Sequence, residues 1–161
     1  KLGRSLCFPG GGGFVTEATD ADLLARAILW CGAEPACAGE AFNVTNGDVL
    51  EWESLFPALA DLFGMQAGDP SACRLREGMP AYAATWDEIV AEHDLKPYTM
   101  AQLIGDSWQF ADAAFGYGGN ARSTLLSTIK IREFGFPDCI DTAAMFAKHI
   151  RVLQDERILP L

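Results

Sequence analysis

A predicted strand that breaks at a tight turn and continues as a helix is the feature that most constrains this fold. It lies within residues 41–52, which read AFNVTNGDVLEW. Phe42 and Val44 alternate as on a half-buried strand, because aromatic and β-branched side chains pack well on a pleated surface. Asn46 and Gly47 tolerate the positive φ angles of a tight turn. Units of strand, turn and helix are typical of α/β proteins, and we assign the chain to that class.

Two helices flank the predicted strand. Thr19 is a natural N-cap for the first helix, with Asp22 at its third helical position, and apolar residues recur at helical spacing to about Gly32. Asp48, with Glu51 three residues later, has the spacing that caps the second helix. The second helix contains a proline, which removes one amide donor and is expected to bend the helix.

The rest of the chain is expected to be mostly helical. A short strand is predicted over 5–8, where a proline then ends the pairing. Helical periodicity fails over 65–80, which predicts a loop beside a pocket. Five further helices are expected near 85–92, 99–104, 107–115, 123–132 and 141–154. Two short strands in a largely helical chain indicate a portion of an α/β protein whose strands join a larger parallel sheet.

Length, composition and charge predict one globular domain over 1–161. Half of the 161 residues are hydrophobic and 21% are charged, so the chain can bury a sizeable core. The net charge of -10 argues against nucleic acid or an anionic membrane as a partner, since both attract clustered Lys and Arg. No apolar stretch reaches about 18 residues and no leader is visible, so we expect no membrane insertion and a cytoplasmic location.

Cysteine and histidine are too few and too scattered to predict a metal site. The five cysteines include no Cys-x-x-Cys pair, and the chain has only 2 histidines. We expect reduced thiols, because buried cysteine behaves as a small hydrophobe. His93 and His149 are not expected to act as bases, since no Gly-x-Ser-x-Gly elbow supplies a nucleophile. The residues themselves therefore predict no catalytic and no metal-binding group.

The glycine run at 10–13 does not predict a phosphate site. A dinucleotide loop needs spaced glycines between a strand and the start of a helix. Here residues 14–19 come before the first predicted helix. We interpret the run as a flexible loop and predict no cofactor-binding residue in this chain.

Several motifs, taken together and in this order, carry a family resemblance. Besides the run at 41–52, they are TDADLL at 19–24, WDEIV at 86–90, WQFAD at 108–112, FGF at 134–136 and ILP at 158–160. The chain resembles the atypical extended short-chain dehydrogenase/reductases of the progesterone 5β-reductase and iridoid synthase type, within the NAD-dependent epimerase/dehydratase superfamily. The resemblance spans nearly the whole chain.

The resemblance implies a parent enzyme longer than this chain. Family members begin with a Rossmann half that carries the dinucleotide loop and a catalytic Tyr and Lys, and this chain opens at Lys1, past both. It then implies that 1–161 is the carboxyl-terminal, substrate-side half and is inactive alone. NADPH would be bound mainly by the other half. The substrate implied is a small apolar carbonyl compound, an enone whose alkene receives hydride.

The same resemblance implies three substrate-binding residues. Phe110 matches the family's pocket phenylalanine, and Ala113 falls where the family has a small or aliphatic residue that controls the room in the pocket. Trp108 precedes them in the same segment. Phe110 and Ala113 lie three apart, so they share a helix face and are expected to border one cavity. Without the resemblance, these aromatic residues would be interpreted as core.

Two other functions stay open. A nucleotide-sugar epimerase or dehydratase on the same extended fold would hold a pyrophosphate with basic side chains, and over 43–136 the arginines are only Arg74, Arg76, Arg122 and Arg132. A non-catalytic binding module would expose strand edges and self-associate. Homodimerisation is equally open.

Overall fold

The computed structural model describes residues 2–117 and 122–161. These residues form eight α-helices, joined by extended segments and turns. The helices are α1 Ala21–Ala33, α2 Trp52–Leu62, α3 Leu75–Gly78, α4 Ala83–Glu92, α5 Met100–Ile104, α6 Trp108–Ala114, α7 Ile129–Glu133 and α8 Thr142–Asp155. Two short 3₁₀ helices lie at Pro35–Cys37 and Met79–Tyr82.

The first helix begins one residue later than its sequence predicts. Asp20, not Thr19, is the N-cap of α1, and its carboxylate accepts hydrogen bonds from the amides of Asp22 and Leu23. Thr19 instead donates its hydroxyl to the carbonyl of Val44 at 3.0 Å. A carboxylate at the N-cap also suits the helix dipole, and the threonine is used to hold α1 against the 41–46 segment.

The cap predicted for the second helix is wrong. Glu51 precedes α2 but its side chain makes no capping hydrogen bond. Asp48 reaches a different helix, because its carboxylate accepts from the amide of Thr142 at 2.8 Å and from its hydroxyl at 2.5 Å, where α8 begins. The internal proline of α2 is confirmed at Pro57. Asp48 therefore links the predicted turn to the last helix.

The two expected strands do not form within the described residues. Leu6 makes a single parallel bridge with Ala67, and Thr16 makes a single antiparallel bridge with Leu50. The segment 42–45 is extended but has no ladder partner beside it in the described part of the chain. Isolated strand pairs of this length are not stable without further strands or a packed face, so these segments stay as extended backbone.

Tertiary contacts explain two other differences from the predicted helices. The 65–80 segment contains α3 and the first half of a 3₁₀ helix, which are too short to show a period. Of the helix predicted over 123–132, only the end is helical, as α7. The residues before it are attached to the amino-terminal part of the chain, because the amide of Leu126 donates to Glu17 Oε2 at 2.5 Å.

Two clusters of apolar side chains make the core. One packs α1 against α7 and the FGF motif, through Leu23, Ala27, Ile131 and Phe136, with Trp30, Phe42, Val44 and Ile140 at its edge. The other is aromatic and joins the amino-terminal segment, α2 and the end of α6. In it the ring of Phe115 lies 5.8 Å from Phe8 and 5.0 Å from Trp52, centroid to centroid. The aromatic cluster therefore fixes the position of α6.

Candidate functional site

Helix α6 carries the three residues that the family resemblance singles out. Trp108 is half-buried, Ala113 is exposed, and Phe110 is 69% exposed. At the end of the same helix Phe115 is packed in the aromatic cluster. The end of α6 is thus anchored in the core, whereas the side chain of Phe110 is largely exposed to solvent.

Trp108 lines a cavity of about 460 Å³, here called the first α6 cavity. Its walls come from α4, α5 and the turn before α6. The lining is apolar at Pro80, Ala83 and Met100 and polar at Asp106. A half-buried indole beside a methionine and a proline gives this cavity a wall suited to an apolar molecule.

Ala113 lines a neighbouring cavity of about 450 Å³, the second α6 cavity. Its other walls include Asp112 and Tyr117. Arg76 and Gln109 line both cavities, so the two spaces adjoin across these side chains. Phe110 lines neither of the two. In the structure, then, Trp108 and Ala113 border adjoining spaces and Phe110 lies on the outer side of the same helix.

Asp112 fixes the basic segment against α6. Its two carboxylate oxygens accept from the amides of Leu75 at 2.7 Å and Arg76 at 3.1 Å, at the start of α3. Those amides would otherwise lack partners, because the first turn of a helix has none of its own. The carboxylate therefore determines where Arg74 and Arg76 stand relative to the cavities.

The two arginines have different surroundings. Arg74 pairs with Glu77 at 2.7 Å, and its guanidinium lies 5.0 Å from the centre of the Tyr117 ring. The hydrogen bond from Arg74 to Glu77 raises the pKa of the arginine further. Arg76 has no carboxylate partner within the described part of the chain, and it lies between the two cavities.

Sequence reasoning did not place these polar residues at the site. From the sequence, Arg74 and Arg76 were noted only as two of the few arginines over 43–136, and Asp112 only as the last residue of the WQFAD motif. The one local signal is the spacing of Arg74 and Glu77, three apart, which favours a helical turn there. The contact between Asp112 and α3 crosses 37 residues and leaves no sequence pattern.

The glycine run is closely packed. The amide of Gly11 donates to the carbonyl of Phe115 at 3.0 Å. A Cβ added at Gly10 would collide with that same carbonyl and with the Phe8 ring. The expected flexible loop is therefore, at Gly10 and Gly11, a close approach to the end of α6. The space that a pyrophosphate would need is filled by backbone, so the run does not fit a dinucleotide.

Other side chains that could react or bind a metal do not line the two α6 cavities. The five cysteines are free thiols, with Cys37 buried and Cys73 and Cys139 exposed. Within 2–117 and 122–161, no group of three or more His, Cys, Asp or Glu side chains is arranged to hold a metal ion. His149 Nε2 lies 3.3 Å from a carboxylate oxygen of Asp20, which is the N-cap of α1. No described helix is both long and apolar enough to cross a bilayer.

Comparison with curated proteins identifies the relatives of this chain. No family model matches it. The chain is 35% identical over 147 residues to (S)-8-oxocitronellyl enol synthase of Antirrhinum majus, which covers 89% of this chain and 36% of that protein. It is 33% identical over 141 residues to 3-oxo-Δ(4,5)-steroid 5β-reductase of Arabidopsis thaliana, covering 83% of this chain and 34% of that protein. An (S)-8-oxocitronellyl enol synthase of Nepeta racemosa is 38% identical over 140 residues.

The class of protein follows from these matches. The chain is homologous over most of its length to enol synthases and to a steroid 5β-reductase, as its motifs indicate, and these homologues are oxidoreductases. It spans about a third of the length of the curated relatives it matches.

Proposed function

We propose that this chain is the substrate-side portion of an NADPH-dependent reductase of enones or related carbonyl compounds. The observation that carries the proposal is homology to an enol synthase and a steroid 5β-reductase over most of the chain, at 33–35% identity. The proposal assigns Trp108, Phe110 and Ala113 to substrate binding. It assigns the reaction to a soluble, cytoplasmic enzyme.

The nicotinamide cofactor is proposed to be bound by a Rossmann portion outside these residues. The close backbone contacts at Gly10 and Gly11 leave no phosphate cradle there, which supports assigning the cofactor to another portion of the protein. NADPH would supply hydride, while this chain's residues shape the space for the acceptor. Alone, the chain is expected to be inactive. The extended segments at 5–8 and 42–45 are proposed to pair with a parallel sheet in that portion.

Exposure supports a substrate role for Phe110. A phenylalanine that is 69% exposed costs free energy unless something covers it, because its apolar surface is left in water. The first α6 cavity, with its apolar wall at Trp108, gives room for an apolar body, and the more polar cavity at Ala113 adjoins it. Arg76 and Gln109, between the cavities, supply hydrogen-bond donors toward a carbonyl oxygen.

A nucleotide-sugar epimerase or dehydratase is the second candidate. It is favoured by Arg76, which lines both α6 cavities and has no carboxylate partner in the described part of the chain. A guanidinium in that position suits a pyrophosphate oxygen. Turnover of a nucleoside-diphosphate sugar by the longer protein, with no turnover of enones, would favour this candidate over the reductase.

The test of the reductase proposal is Phe110→Ala in the longer protein. We expect the preference among small and bulky enones to change by about tenfold in kcat/KM, because the proposal places this exposed ring against the substrate. The measurement is NADPH oxidation, followed as the loss of its absorbance at about 340 nm, across an enone series. The matched control is Ile129→Ala, whose side chain is 64% exposed outside the site. Unchanged kinetics with every enone would remove Phe110 from the pocket.

A further inference from the structure

A third cavity is lined by none of the three predicted site residues, although Met100 lines both it and the first α6 cavity. It is open to solvent, has a volume of about 320 Å³ and lies between the amino-terminal segment, the turn after α2, the second 3₁₀ helix, α4 and α5. We name it the methionine cavity, because Met65, Met79 and Met100 line it together with Trp86 and Ile89. Methionine side chains are flexible and polarizable, so such a lining adapts to apolar molecules of varied shape.

The surface of the methionine cavity is almost wholly apolar, but two of its lining residues, Arg4 and Tyr82, carry polar groups beside it. Arg4 Nη1 donates to the Tyr82 hydroxyl oxygen at 3.0 Å, and both residues line the cavity. The guanidinium carbon of Arg4 lies 6.0 Å from the centre of the Tyr82 ring. Because Tyr82 accepts this bond, its own hydroxyl proton can be donated elsewhere. The cavity therefore combines an apolar interior with guanidinium and phenol donors.

The charge of Arg4 is not neutralised within the described residues. The structure pairs several other cations with acids, for example Arg26 with Asp138 and Arg157 with Asp94. Acidic residues outnumber basic ones in the chain by 22 to 12. Even so, no described carboxylate forms an ion pair with Arg4. A guanidinium held by a tyrosine and lacking an acid offers its remaining donors to a carboxylate from outside, which it can bind through two hydrogen bonds.

We propose that the methionine cavity binds a small amphipathic carboxylate, with its alkyl body among the methionines and its carboxylate on Arg4 and Tyr82. The volume holds about ten non-hydrogen atoms if each takes about 30 Å³, as a water molecule does in liquid. An eight-carbon straight-chain acid has that size. This site goes beyond the proposed reductase activity and does not depend on it, since binding requires neither NADPH nor an enone.

The test is calorimetric titration of the protein with octanoate and with octan-1-ol, in the absence of cofactor. We expect octanoate to bind at least about tenfold more tightly than octan-1-ol, because a charged hydrogen-bonded pair is available only to the acid. Arg4→Met should remove this preference, whereas Arg4→Lys should keep part of it. Tyr82→Phe tests the second donor. It should weaken the binding of octanoate and leave the binding of octan-1-ol unchanged.

Two further variants control the experiment. Thr85→Phe adds bulk to a lining position and should abolish binding of both compounds. Arg151→Met removes an exposed cation of α8 that does not line the cavity and should leave both affinities unchanged. Circular dichroism and thermal melts establish that each variant is folded. No binding of octanoate to the wild type, equal affinity for the acid and the alcohol, or undiminished binding by Thr85→Phe would overturn the proposal.

Discussion

Asn46 shows how one residue can belong to a turn by sequence and to the core by structure. Its side chain is 0% exposed, although it precedes a glycine in a predicted surface turn. Asn46 Oδ1 accepts from the amide of Asp20 at 2.6 Å, and Nδ2 donates to the Thr142 hydroxyl at 3.0 Å. The residue thereby links the starts of α1 and α8. Gly47 has φ of 101°, as a tight turn requires.

The first prediction concerns this buried amide. Asn46→Ala should lower the free energy of unfolding by about 3 kcal/mol, because it leaves the buried amide of Asp20 without its acceptor and removes the hydrogen bond to the Thr142 hydroxyl. Urea denaturation measures the change. The control is Asn43→Ala, since Asn43 is exposed and its amide bonds only the carbonyl of Ser127, at 3.0 Å. A loss from Asn46→Ala no larger than that of the control would contradict the assigned role.

Asp20 makes the stability of the protein depend on pH. Burial on its own raises the pKa of Asp20, but hydrogen bonds from the amides of Leu23 and Asp22 and from Lys148 outweigh burial, so the pKa lies below its ordinary value of 3.8. A carboxyl whose pKa is lower in the folded state stabilises the fold above its unfolded pKa. That contribution is lost as the pH falls through the folded pKa.

The second prediction follows from the lowered pKa of Asp20, which makes the ionised carboxylate stabilising. Wild type should be more stable than Asp20→Asn at neutral pH, and the difference should shrink as the pH falls below about 4, where the aspartate becomes protonated. Urea midpoints measured between neutral pH and about pH 2 give the curve. Asp22→Asn is the control, because Asp22 also pairs with Lys148 but its side chain is 72% exposed. A constant difference between wild type and Asp20→Asn at all pH values would contradict the prediction.

At the scale of elements, α3 has too few residues to be stable by itself. Its four residues form one turn, and α3 packs on α6. Helices so short are not stable alone, because nucleation fixes several residues for a single hydrogen bond. The Asp112 carboxylate supplies what the turn lacks, by accepting from the amides of Leu75 and Arg76.

The third prediction tests this dependence. Asp112→Ala should destabilise the protein by about 2 kcal/mol, since hydrogen bonds to a charged group are stronger than neutral ones. It should also speed proteolysis within 65–80, because α3 loses its attachment. Limited proteolysis with mass spectrometry locates the cleavage sites. Asp106→Ala changes another exposed acid near α6 and should leave the cleavage rate as in wild type. Equal rates for the two variants would mean that Asp112 does not hold α3.

At the scale of the whole molecule, much apolar surface remains in water. On α1, Leu24 is 41%, Ile28 is 62% and Leu29 is 74% exposed. Contiguous apolar surface of this kind marks an interaction site in soluble proteins. The chain spans about a third of the length of its curated relatives. We propose that the remainder of such a protein covers this face.

The fourth prediction is that this face causes the chain to self-associate when it is isolated. Replacing Ile28 and Leu29 by Gln should reduce that association, because it removes apolar area from the contact. Sedimentation velocity over a range of concentrations measures the change. The control is Val152→Gln, which alters a residue of α8 that is 46% exposed. A chain that stays monomeric at every concentration would contradict this prediction and would favour an independent binding module.

The sequence by itself determined the resemblance to the enol synthases and steroid 5β-reductases, most helices and several of their ends. Thr99 caps α5 with Gln102 reaching back, and Asp141 caps α8, because capping depends on residues only three positions apart. The tertiary structure alone decided which helix Asp48 caps, where Asp112 holds α3, and that, among the described residues, the predicted strands form no ladder beyond the single bridge between Leu6 and Ala67. The physical reason is distance along the chain. Asn46 and Thr142 are 96 residues apart, and a hydrogen bond between such residues leaves no local pattern of propensity or period.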